Sequence, residues 1–148
     1  MNFGLVFMST PGVKSKFVYV YSLSDDLKAY FLKKNYGSDI KTYTIGILCV
    51  EPQHENFFKV GKPKYTKGRI DRVIDGIPFT TEDSFEYDVK IDYEIFKESN
   101  EKECHKLLAK NILNSLVILD KMKSKIKDFD SEGFKGDMEA FFKEQGLV

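Results

Sequence analysis

Histidine and cysteine are scarce in this chain, with two of each in 148 residues: His54, His105, Cys49 and Cys104. A metal centre needs several His, Cys, Asp or Glu side chains at ligand spacing, and the one close pair here, Cys104 and His105, is adjacent. Neighbouring helix positions point about 100° apart, so these two cannot face one ion or work as a thiol and its base. Cys104 reads as core and His105 as surface. Both cysteines lie in apolar patterns and read as reduced thiols in a reducing compartment, a single disulfide being the alternative. No apolar run approaches the ~18–20 residues of a membrane span. The opening "MNFGLVFMSTPG" also lacks the basic start and long apolar core of a signal peptide. The expectation is a cytoplasmic, soluble protein without metal or cofactor and without membrane contact.

Net charge is missing as well, with 23 basic against 23 acidic residues. That balance argues against a dedicated nucleic-acid domain, which is basic overall. It conceals a local asymmetry, because residues 82–103 hold nine acids against three lysines while "KVGKPKYTKGR" (59–69) carries five basic residues and no acid. Such clustering bears on partners and encounter rates rather than on fold.

Thirteen Phe, eight Tyr and 42% hydrophobic residues supply a core for one domain spanning 1–148. "FGLVFM" (3–8) and "KFVYVYS" (16–22) read as strands joined by a turn, and "SDDLKAYFLKKNYG" (24–37) as a helix capped by Ser24 and stopped at Gly37. "KTYTIGILCVE" (41–51) is apolar on both faces, with Tyr43, Ile45, Ile47 and Cys49 on one and Leu48 and Val50 on the other, as in a central strand ended by Pro52. Asp75-Gly76 marks a two-residue hairpin, and Pro78 suits an edge strand. "SFEYDVKIDYEIF" (84–96) alternates most cleanly: Phe85, Tyr87, Val89, Ile91 and Tyr93 face a core, and Glu86, Asp88, Lys90 and Asp92 face water.

Residues 100–126 read as one long helix opened by an Asn100/Glu103 capping box, and 129–146 as a second, with Asp130 as cap and Phe129 against Phe134 as a staple. Strands first and helices last predict an α+β fold: one antiparallel sheet of about five or six strands, with two or three helices packed mainly on one face.

Two surfaces are candidates for contact. The outer face of the 84–93 strand, with Glu86, Asp88 and Asp92, comes first. Its exposure makes raised carboxyl pKa values and acid–base catalysis improbable, so no enzyme is expected. The basic loop, with Lys62, Lys64, Tyr65 and Lys67, comes second. Its glycines precede a strand rather than a helix, which argues against a phosphate cradle. The alternative function is a nucleic-acid-binding module using residues 59–72, with lysines for phosphates and a tyrosine for stacking; a hydrated loop is the plainer reading.

From Lys62 onward, "KPKYTK", "VKIDYEIFK", "LLAKNILNSLVIL" and "KIKDFDSEGFKGDMEAFF" resemble the small immunity proteins of bacterial polymorphic toxin systems. The motifs are Asp92-Tyr93, Phe96-Lys97, Ser115-Leu116 and Lys127-Asp128-Phe129-Asp130, and they cover a little over half the chain. The resemblance implies a non-enzymatic binder of a cognate toxin.

Overall fold

The computed structural model describes residues 1–55, 59–74 and 76–148, apart from the side chains of 69–72, 74 and 77–82. Four strands form one open sheet in the order β1-β2-β4-β3: β1 (Asn2–Ser9), β2 (Thr42–Cys49), β3 (Lys64–Ile74) and β4 (Ile77–Lys90). Three long helices accompany it, α1 (Phe17–Phe31), α3 (Glu101–Ser115) and α5 (Ser131–Glu144), with the short α2 (Tyr93–Glu98) and α4 (Val117–Lys121) between them.

The fold is α+β, but the sheet is mixed and four-stranded, not antiparallel with five or six strands. β1 runs parallel to β2 and β2 parallel to β4; only β3 and β4 are antiparallel. The reason lies in residues 16–22, expected to be a strand. Their β-branched and aromatic residues favour extended backbone locally, yet Val20, Leu23, Ser24, Leu27 and Phe31 make one buried helical stripe. Burying that stripe outweighs intrinsic preference. Once 17–31 is a helix, β1 and β2 are joined by a crossover, and a crossover returns the chain parallel.

Other local readings hold. Asn100 and Glu103 form the capping box: the Glu103 N–H donates to Asn100 Oδ1 (2.9 Å) and the Asn100 N–H to Glu103 Oε1 (3.0 Å). The Gly133 N–H donates to Asp130 Oδ1 (2.9 Å), capping α5, and the Phe129 and Phe134 rings lie 5.7 Å apart. Ile74 pairs with Ile77 across a two-residue turn with Gly76 at φ +78°; Asp75 lies outside the described residues.

Ser24 does not cap a helix, since it sits within α1, and Gly37 lies beyond the end of α1. Gly37, at φ +117°, instead lets the chain pass Asp128, whose carbonyl oxygen would lie 2.3 Å from an added Cβ. The long helix expected over 100–126 breaks at Ser115–Leu116, where the Ser115 hydroxyl donates back to Ile112 O (2.6 Å) and meets the Tyr87 hydroxyl (2.9 Å).

The core lies between the inner sheet face and the long helices. Phe3, Leu5, Tyr43, Ile45, Ile47, Phe85, Tyr87 and Val89 meet Leu27, Phe31, Leu108, Ile112, Phe134 and Phe142, all buried. Tyr43 is its hub, with Phe134 at 4.6 Å and Phe3 stacked at 5.6 Å between ring centroids. Aromatic rings therefore fill this space. Both cysteines are buried and free, and burial pushes the Cys49 thiol up to about 12.

Candidate functional site

Alternation along three parallel strands sends every second residue to the face away from the core. Gly4, Val6 and Met8 of β1 stand in register with Thr44, Gly46 and Leu48 of β2, and these with Glu86, Asp88 and Lys90 of β4. Val6 is 45% exposed, and Gly4, Met8, Thr44, Glu86 and Asp88 are half-buried. A shallow depression of about 310 Å³ runs across this outer face, lined by Val6, Met8, Thr44, Gly46, Glu86 and Asp88.

Gly46 is its floor. A Cβ there would lie 2.2 Å from Asp88 Oδ1 and 2.6 Å from Met8 Cε. The missing side chain is what allows an apolar thioether and a carboxylate to converge over β2. The depression thus has an apolar wall on β1 and an acidic wall on β4.

The structure brings some expected contact residues together and separates others. Glu86 and Asp88 share the acidic wall. Lys64 pairs in register with Glu86, and the Gly61 N–H donates to Asp88 Oδ2 (2.8 Å), which sets the loop bearing Lys62 beside this wall. Lys90 Nζ meets Glu55 Oε1 at 2.5 Å, a second tie between the outer face and the β2–β3 connection.

Asp92 is not on the strand. It follows β4, and its Oδ1 accepts from the Ile95 N–H (3.0 Å) as the cap of α2. The expectation that 84–96 forms one strand fails at Ile91, because Asp92 nucleates a helical turn that buries Tyr93 and Phe96.

Tyr65 faces the other way. It pairs with Phe85, packs against the core, and its hydroxyl is buried without a hydrogen-bond partner among the described residues. Burial raises its pKa.

Lys67 sits in a β-bulge between Thr66 and Arg69, where Gly68 has φ +87° and donates its N–H to Asp83 Oδ1 (2.8 Å). From there Lys67 Nζ reaches Asp39 Oδ1 at 3.4 Å. Asp39 is the knot of a structural clasp: its Oδ2 accepts from the backbone N–H groups of Asp128 (2.9 Å) and Lys127 (3.1 Å). The Asp128 N–H foremost, and then the Lys67 ammonium, hold the Asp39 carboxyl below its ordinary range. Ser38 donates to Asp128 through a short hydrogen bond, and the Asp130 N–H donates to Tyr36 O (2.6 Å). The Lys127–Asp130 motif is therefore scaffold.

Sequence reasoning missed Val6, Met8, Thr44 and Gly46. Period-two alternation places each on a face, but only the parallel register aligns them with Glu86 and Asp88.

Among the described residues, no group of three or more His, Cys, Asp or Glu is placed to hold a metal ion, and no helix is long and apolar enough to cross a membrane. Comparison with curated proteins and with solved structures found no match. A family model described as Immunity protein 44 matches residues 1–144, reaching across the N-terminal third where the sequence motifs carried no resemblance. The match spans nearly the whole chain, and the chain belongs to the Immunity protein 44 family.

Proposed function

We propose that this protein neutralises a cognate bacterial toxin in the cytoplasm by stoichiometric, non-enzymatic contact through the outer face of its sheet. Membership of an immunity family supplies the kind of partner. The observation that carries the choice of surface is the Gly46 depression, with Val6 and Met8 on one side and Glu86 and Asp88 on the other. An apolar wall offers desolvated anchoring, and a carboxylate wall beside it steers a basic toxin surface and rejects wrong partners. The opposite sheet face is filled by helices and aromatic rings.

The alternative, nucleic-acid binding through 59–72, needs a stacking ring and free cations. Tyr65 packs against the core and Lys67 is paired with Asp39, so two of its components are engaged elsewhere. Lys62 and Lys64 are exposed and remain second-rank contacts.

The test is co-purification with the product of the neighbouring toxin gene, followed by titration of toxin activity. One equivalent should abolish that activity, and Glu86→Lys should slow association about tenfold while leaving the fold intact. Glu86 is a cleaner probe than Asp88, whose carboxylate also holds the Gly61 N–H. Full inhibition with unchanged kinetics in Glu86→Lys would remove this face from contention.

A further inference from the structure

The two edges of the sheet differ. On β1, the Leu5 N–H donates to Ser24 Oγ (3.0 Å) and the Phe7 N–H to Tyr21 Oη (3.2 Å), so side chains of α1 satisfy edge donors that another strand would need. β3 is the other edge. Among the described residues, no hydrogen bond from another element reaches its outward side, and alternate residues of an edge strand turn N–H and C=O groups away from the sheet.

β3 and β4 also outrun the rest of the sheet. β2 pairs with β4 only over Ser84–Lys90, so 69–74 and 77–82 form a two-stranded ribbon. Such a ribbon is marginal alone, and a third strand stabilises it. That strand cannot readily join on the β4 side. Pro78, one step past the Ile74–Ile77 pair that closes the turn, has no N–H to offer there. The β3 side is open, and the strand is basic in sequence, with Lys64, Arg69 and Arg72 against the single acid Asp71, while Lys67 is paired with Asp39. A second copy would set basic strand against basic strand; an acidic strand is complementary.

We infer that β3 accepts an extended acidic segment of the toxin along its free edge, adding a fifth strand to the sheet. The inference rests on the immunity reading above and specifies how the partner docks. Main-chain hydrogen bonds supply affinity in this mode and the flanking side chains supply selectivity. The bulge at Thr66/Arg69 and the edge lysines discourage indiscriminate pairing; the same lysines favour an acidic strand.

The deciding experiment is amide hydrogen exchange on the full chain, free and with the product of the neighbouring toxin gene, together with binding kinetics of Lys62→Glu/Lys64→Glu. Alternate amides within 64–74 should slow about tenfold or more, while the Leu5 and Phe7 amides, already bonded within the chain, change little. The double variant should associate about tenfold more slowly at low salt. A complex that leaves 64–74 unprotected, or protects it without a period of two, overturns the strand-addition inference alone. Absence of any complex overturns the immunity reading and this inference with it.

Discussion

The two faces of the sheet are made from the same strands and put to opposite uses. Inward, Phe3, Tyr43, Phe85 and Tyr87 interlock with Phe31 and Phe134 in the buried core. Outward, the same strands present Gly4, Val6, Met8, Thr44, Gly46, Glu86 and Asp88, small or half-exposed and uncovered by any of the long helices. One face holds the molecule together, and the other is available for contact. On the proposed reading, stability and recognition are separated by a single step along each strand.

Substitutions can break that separation or sharpen it. The largest effect belongs to the inner face: Phe134→Ala should cost about 3–5 kcal/mol, read as a lower urea midpoint with unchanged slope. Toxin inhibition should persist in whatever fraction stays folded. Loss of inhibition in a fully folded Phe134→Ala protein would mean that the faces are not independent.

Gly46→Ala should do the reverse. The added methyl meets two flexible side-chain ends, Asp88 Oδ1 and Met8 Cε, which can swing aside. Its stability change should stay within about 1 kcal/mol, whereas toxin affinity should fall about tenfold because the depression is filled. Unaltered affinity would show that the depression is not used.

The sequence carried much of the inner face and little of the outer one. Alternation in 84–90 marked Phe85, Tyr87 and Val89 as core and Glu86 and Asp88 as outward, and the Asn100/Glu103 capping box and the Asp130 cap marked where α3 and α5 begin. These are local signals. The parallel order of β1, β2 and β4 is not local, because it depends on 17–22 being helical against its own β propensity. With that segment read as a strand, Val6, Gly46 and Asp88 could not be placed in one row. Asp92 misled for a similar reason: alternation continued through it, but its carboxylate is spent on the Ile95 N–H.

Strong acid should loosen the Asp39 clasp. The folded-state pKa of Asp39 is depressed, so its contribution is present above the ordinary Asp value of about 3.9 and is lost as pH falls through the lower folded value. The Asp128 amide should report this by NMR, and Asp39→Asn should abolish the pH dependence of that signal. The smallest effect concerns the thiols. Cys49 and Cys104 are buried with raised pKa values, so neither should react with a thiol reagent in the native protein. Rapid labelling of either would indicate that the core opens.

The central claim, inhibition by the outer sheet face without chemistry, is tested most directly by titrating toxin activity with wild-type and Glu86→Lys protein side by side. The account predicts a sharp one-to-one endpoint for the wild type and about tenfold slower capture by the folded variant. Inhibition far below one equivalent, as from turnover, or identical capture by both proteins, would contradict it.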